Sequence, residues 1–297
     1  MTNPALPPPP HHCVLEILEP RAPAAPVIFD SPHSGAVYPP DFGATCPRHL
    51  LRQAEDSYVD ELIETAPQQG VTVLNAMFPR SYIDPNRAVH DIDPKVVAGS
   101  WPGPADPSDK GRLGMGLIRR LCKPGVPMYD RRLRVEEIRH RIDHYYHPYH
   151  RALRELMDSY TERFGAVWHL NCHSMPSVGA VLATNRGWER ADFVLGDRDG
   201  STCEPAFREV VADTLSDLGY SVRLNDPYKG VELVRRFSAP QRGRHSLQLE
   251  INRRLYMDET TLEKRAPGFT RIQRDIAKLA EIVAAYARDR LAAAAAD

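Results

Sequence analysis

The stretch Val27-Ile28-Phe29-Asp30-Ser31-Pro32-His33-Ser34-Gly35 constrains this chain more than any other. Three apolar residues, two of them β-branched, predict a buried strand. Pro32 ends regular pairing and Gly35 permits a tight backbone, so His33 is expected in a turn just beyond the strand's carboxyl end. In open α/β sheets that edge is where ligands bind. A second strand pattern, Ala166-Val167-Trp168-His169-Leu170, delivers Asn171-Cys172-His173-Ser174-Met175-Pro176 to a similar turn. A sheet can bring two such histidines together however far apart they stand in sequence. The pair therefore says more than a single turn histidine, which alone is more often structural.

Residues 48–66 carry Leu51, Ala54, Tyr58, Leu62 and Ala66 at the spacing of one amphipathic helix, which would put Asp56 and Asp60 on one face. Strands are expected over 71–76, 193–196, 222–224 and 246–253, and helices over 204–218 and 270–291. A long helical pattern over 135–164 should kink or divide at Pro148. Residues 101–127, rich in glycine and proline around a short helical candidate at 112–121, have the character of a lid, a binding loop or a plain surface excursion. Strands and helices alternate along most of the chain. The predicted fold class is α/β, with a mixed, mostly parallel sheet and helices on both faces.

A chain of 297 residues can bury a full core, and a single domain over 13–291 is expected, between a mobile proline-rich tail at 1–12 and an alanine-rich tail at 292–297. His11 and His12 in that tail read as solvated. With 38 basic and 39 acidic residues there is no large field to attract nucleic acid or anionic lipid, so neither is an expected partner. No apolar segment has the length of a signal peptide core or a membrane span, which predicts a cytoplasmic protein. Cys13, Cys46, Cys122, Cys172 and Cys203 form no Cys-x-x-Cys pair, which argues against a disulfide framework or a cysteine-rich zinc site.

A hydrolytic zinc site commonly takes two histidines and one carboxylate and keeps a position for water. His33 and His173 supply the imidazoles, and Asp56 or Glu55 could complete the set. Asp56 is preferred because it would share a helix face with Asp60 as an outer partner, whereas Glu55 is rotated by about 100°. Its plain alternative is a solvated acidic face. Glu250, near the exit of the 246–253 strand, is the candidate acid/base, with a salt bridge to Arg253 or Arg254 as its structural alternative. A guanidinium offers two parallel donors to a carboxylate, so Asn86-Arg87, with Arg80 in the same loop, form the candidate substrate clamp. Arg235 and Arg236 are weaker candidates for that work, and His147 and His150 read as structural.

With these residues assembled, the chain resembles the N-formylglutamate amidohydrolase family, whose fold is like that of the zinc carboxypeptidases and aminoacylases. The resembling blocks include Ser31-Pro32-His33-Ser34-Gly35, Asp56-Ser57-Tyr58-Val59-Asp60-Glu61-Leu62, Ser81-Tyr82-Ile83-Asp84-Pro85-Asn86-Arg87 and Cys172-His173-Ser174-Met175-Pro176. Further blocks are Asp197-Arg198-Asp199-Gly200-Ser201-Thr202-Cys203, Asn225-Asp226-Pro227-Tyr228-Lys229-Gly230 and Leu247-Gln248-Leu249-Glu250-Ile251-Asn252-Arg253. The resemblance implies one zinc ion per chain held by His33, Asp56 and His173, with Glu250 as acid/base and Asn86-Arg87 receiving a carboxylate. The implied substrate is a small N-acyl amino acid, with N-formyl-L-glutamate giving formate and L-glutamate in histidine degradation. After Gly230 the chain reads Val231-Glu232-Leu233-Val234, where the family more often has glycine, an apolar residue and threonine, and this leaves the acyl group open. A related zinc peptidase or deacylase on a larger substrate, and a binding protein of the same fold, are the competing readings. Nothing in the sequence sets an oligomeric state.

Overall fold

A computed structural model describes residues 8–10, 14–179 and 189–295. His11, His12 and most of the proline-rich tail lie outside the described residues. Among those described, the strands are β1 (Leu15–Leu18), β2 (Val27–Ser31), β3 (Thr72–Ala76), β4 (Leu121–Lys123), β5 (Val126–Pro127), β6 (Val167–Met175), β7 (Phe193–Gly196), β8 (Val222–Leu224) and β9 (Arg244–Asn252). The α-helices are α1 (Arg48–Arg52), α2 (Val59–Ile63), α3 (Asp109–Arg112), α4 (Val135–Arg141), α5 (His147–Phe164), α6 (Pro205–Asp217), α7 (Glu232–Phe237) and α8 (Ala266–Ala294). None is long and apolar enough to cross a membrane.

Seven strands form one sheet in the order β1-β3-β2-β6-β9-β7-β8, and β4 and β5 pair with each other. β6 runs parallel to both β2 and β9, β8 parallel to β7, and β7 antiparallel to β9. The fold is α/β with a mixed, mostly parallel sheet, as the alternation of elements predicts. Side chains alternate across each strand. On one face Val27, Phe29, Trp168, Leu170, Cys172, Leu247 and Leu249 form a buried apolar core with residues of α2, α6 and α8. The register fixes the opposite face as well: Asp30, His169, Asn171, His173, Ser246, Gln248 and Glu250 share it, and all are buried.

The chain groups into two compact units. One contains Ile17–Ser31, Asp56–Leu74 and the described residues from Arg154 onward, and holds the core just described. The other contains the described residues up to Glu16, Pro32–Glu55 and Asn75–Leu153. Its interior is organised by Arg141, fully buried, which donates to the carbonyls of Tyr82 and Phe42 and to the Tyr129 hydroxyl, and lies 4.1 Å from the centroid of the Tyr82 ring. Cys46 and Cys122 of this unit are disulfide-bonded across a sequence separation of 76. The pairing is set by packing, and no local cysteine spacing signals it; a single bond is not the disulfide framework that the spacing argues against.

Several element boundaries also differ from expectation. The single helix expected over 48–66 is two short helices, because 53–58 turn and Tyr58 takes φ 71 at the start of α2. No helix spans the candidate at 112–121: α3 ends at Arg112 and β4 begins at Leu121, with Gly114 at φ 81 between them. The helical pattern over 135–164 divides just before Pro148, as expected, into α4 and α5. The π-helical turn Ile142–Tyr146 comes just before this proline and absorbs the missing N–H. α8 runs on to Ala294, as alanine's helix propensity allows.

Gly35 lets the segment after β2 lie directly on other backbone: a Cβ there would be 2.4 Å from both the Met77 carbonyl carbon and the Phe78 oxygen. Gly35→Ala is expected to cost about 1–3 kcal/mol of stability by overpacking. A urea melt would show a lower midpoint at unchanged slope, and an unmoved midpoint would contradict the close approach.

Candidate active site

His33 stands two residues past β2 and is buried. Its Nε2 lies 2.7 Å from Oδ1 of Asp84. A carboxylate only accepts, so Nε2–H is the donor and any bond to a cation falls to Nδ1. Asp84 is itself held: Arg80 donates Nε and Nη2 to its Oδ2 at 3.2 and 2.8 Å, and the Asn86 backbone N–H donates to Oδ1 at 3.0 Å. Burial pushes the Asp84 carboxyl up, but Arg80, His33 and Arg87 outweigh it and hold the group well below the usual carboxylate range. A fixed negative charge thus stands behind His33. Arg80, expected beside the substrate clamp, directs its guanidinium to that charge.

His173 lies within β6 instead of in a turn after it, because pairing with β9 continues to Met175↔Asn252. The polar run Asn171–Ser174 resembles a turn in sequence, yet strand pairing requires only its backbone. Nε2–H of His173 donates to Asn171 Oδ1 at 2.8 Å, and Asn171 Nδ2 donates to Asp30 Oδ1 at 2.7 Å. The same Asp30 oxygen accepts from His169 Nε2 at 2.9 Å, and Ser246 donates its hydroxyl to His169 Nδ1 at 3.1 Å. These donors fix the His173 tautomer and turn Nδ1 toward Asp56, whose Oδ2 is 2.9 Å away. A ring lone pair then faces a carboxylate lone pair, an arrangement satisfied by a second ring proton or by a shared cation.

Asp56 precedes α2 and is not helical, so it does not share a helix face with Asp60 in the first turn of α2. Its outer partner is Arg253, which donates Nη2 to Oδ1 at 3.1 Å and Nε to Ser174 Oγ at 3.0 Å. Glu55, the alternative ligand, accepts from the Tyr38 hydroxyl and pairs with Arg52 at 3.2 Å. The available ligand atoms of His33, Asp56 and His173 all lie within 4.8 Å of one another, and each residue is buried. Two imidazoles and one carboxylate, each oriented by an outer hydrogen bond, form a donor set that could hold a metal ion such as zinc.

The β6–β9 register sets Glu250 directly beside His173, and Gln248 donates Nε2 to Glu250 Oε1 at 2.9 Å. The Tyr228 phenol is pushed up to about 12, first by burial and then by the Glu250 charge, with Arg190 and Arg253 acting in the opposite sense. Near neutral pH it is a neutral donor. Asn86 and Arg87 are both buried, and the Arg87 Nε has no hydrogen-bond partner. Arg235 and Arg236 pair with Glu232 at 2.6 and 3.8 Å. His150 donates to the Pro85 carbonyl at 2.8 Å and stacks on Tyr146, a structural role that supports the 84–87 loop.

Sequence reasoning assigned no role to Asp84, Asn171, Asp30 or His169. Asn171 and His169 stand two and four residues before His173, the spacing of one strand face, and reading 171–175 as strand would have found them.

Residues 25–257 match the family model described as N-formylglutamate amidohydrolase. The chain is 27% identical over 283 residues to the N-formylglutamate deformylase of Pseudomonas aeruginosa, covering 93% of this chain and 99% of that protein. It is 29% identical over 208 residues to the N-formylglutamate deformylase of Pseudomonas putida, covering 69% and 71% respectively. It is also similar to the solved N-formylglutamate amidohydrolase from Ralstonia eutropha JMP134, at 47% identity and a TM-score of 0.88, over 93% of this chain and 99% of that one.

The outer hydrogen bonds generate a prediction. Asp84→Ala and Asn171→Ala are each expected to weaken zinc affinity about 10–100-fold, measured by competition with a chromophoric chelator. Wild-type affinity in both variants would show that these acceptors do not orient the imidazoles.

Proposed function

The chain belongs to the N-formylglutamate amidohydrolase family, and from that membership we propose that it hydrolyses N-formyl-L-glutamate to formate and L-glutamate, a reaction of histidine degradation, using one zinc ion held by His33, Asp56 and His173. The observation that carries this reading is the buried His33, Asp56 and His173 group, with Glu250 in register beside His173. Zinc bound there would supply Lewis acidity, acidifying water and polarising the formyl carbonyl.

The chain's own residues do the rest. Glu250 accepts a proton from the attacking water and delivers it to the leaving nitrogen, so the C–N bond breaks to a neutral amine. Gln248 keeps one Glu250 oxygen engaged and thereby orients the other. Arg253 holds Asp56 through Oδ1 and leaves Oδ2 on the side of His173. Asn86 and Arg87 receive a substrate carboxylate, for which a buried guanidinium is suited by charge and by its paired donors.

Formate release from N-formyl-L-glutamate should be lost on chelation and restored by stoichiometric zinc; equal rates before and after chelation would exclude the metal. Glu250→Gln is expected to lower kcat by about 10²–10⁴ with metal content unchanged. Undiminished turnover would remove Glu250 from the reaction. Arg87→Ala is expected to raise KM roughly tenfold or more, and an unaltered KM would place the carboxylate elsewhere.

A further inference from the structure

Arg190 has no part in the mechanism above. It is 6% exposed, yet among the described residues it forms no ion pair with a carboxylate. Nη1 donates to the Pro176 carbonyl at 3.1 Å, Nε is buried without a partner, and the guanidinium lies 5.1 Å from the centroid of the Tyr228 ring. A buried guanidinium without a counter-charge is unfavourable, and a ring face offsets only part of that cost. Arg253 and Arg80 show the usual compensation, pairing with Asp56 and Asp84.

The backbone fixes where this charge stands. The Arg190 N–H donates to the Ser177 carbonyl at 2.9 Å, and Val178 bridges to Glu189. Asn252, the last residue of β9, donates Nδ2 to the carbonyls of Arg190 and Ala191 at 3.3 and 3.0 Å. Arg190 is therefore tied to the carboxyl ends of β6 and β9, the strands that carry His173 and Glu250. The loop bearing Tyr228 is pressed onto the end of β7, where a Cβ on Gly196 would be 2.7 Å from Gly230 N. Tyr228 in turn is within electrostatic reach of Glu250, Arg190, Arg253 and Asp56.

An N-formyl dicarboxylic amino acid carries two carboxylates, one more than Asn86 and Arg87 receive in the reaction assigned above. We propose that Arg190 is a specificity-determining residue that takes one of the two substrate carboxylates. The proposal rests on the reaction assigned above.

The test compares zinc-loaded wild type, Arg190→Ala and Arg190→Lys on three substrates: N-formyl-L-glutamate, N-formyl-L-glutamine without the side-chain charge, and 4-formamidobutyrate without the α-carboxylate. Arg190→Ala is expected to lose roughly 10²-fold in kcat/KM on N-formyl-L-glutamate, with a smaller loss for the lysine variant. The penalty should vanish on the one analogue that lacks the carboxylate Arg190 reads. No penalty, or equal penalties on all three substrates, overturns the assignment. Calorimetric binding of L-glutamate supplies an arm that needs no turnover, with thermal melts confirming that the lysine variant folds as wild type does. Wild-type protein that binds L-glutamate through Arg190 but releases no formate overturns the reaction and leaves the carboxylate contact standing. Unchanged affinity in both variants, or no binding by wild type, overturns the contact whatever the turnover.

Discussion

Asp30 is completely buried on the parallel part of the sheet and accepts on one oxygen from both His169 and Asn171. A carboxylate taken out of water must be compensated where it lies. Here the compensation comes from the neighbouring strand, because the β2–β6 register sets Asp30 beside Asn171. The same register, continued across β6 and β9, sets His173 beside Glu250. A slip of one residue would turn this polar row into the apolar core and bring Leu and Cys side chains to the site. The arrangement of hydrogen bonds and the arrangement of chemistry are thus a single constraint.

The two imidazoles are oriented by the same device in chemically different forms. Behind His33 stands a charged acceptor, Asp84, held by Arg80; behind His173 stands an amide, Asn171, with the Asp30 charge one step further away. Asp56 completes the pattern with Arg253 on its outer oxygen. Each of the three residues has one polar atom engaged outward.

The arginines divide by what they meet. Arg80 and Arg253 meet carboxylates, and Arg141 meets carbonyls and a phenol, so their charges serve the fold. Arg190 meets the Pro176 carbonyl and the Tyr228 ring but, among the described residues, pairs with no carboxylate. The chain carries a net charge of -1, so it has no large overall field to draw in an anion.

Residue type and local period were enough to nominate His33, His173, Glu250 and a carboxylate near 55–56, and short apolar runs marked β7 and β8 at their observed positions. The break between α1 and α2 was invisible, because apolar residues on two successive short helices can keep the spacing of one continuous helix. The polar half of β6 was equally hidden: its side chains resemble those of a turn, and only β9 lying alongside makes it a strand. Asp84, Asn171, Arg190 and the Cys46–Cys122 bond share this property, since each is defined by a partner distant in the chain. A side chain's chemistry belongs to the residue and its periodicity to the segment, and both can be read in one dimension. Which group answers a buried charge depends on register and packing, and those exist only once the strands have paired.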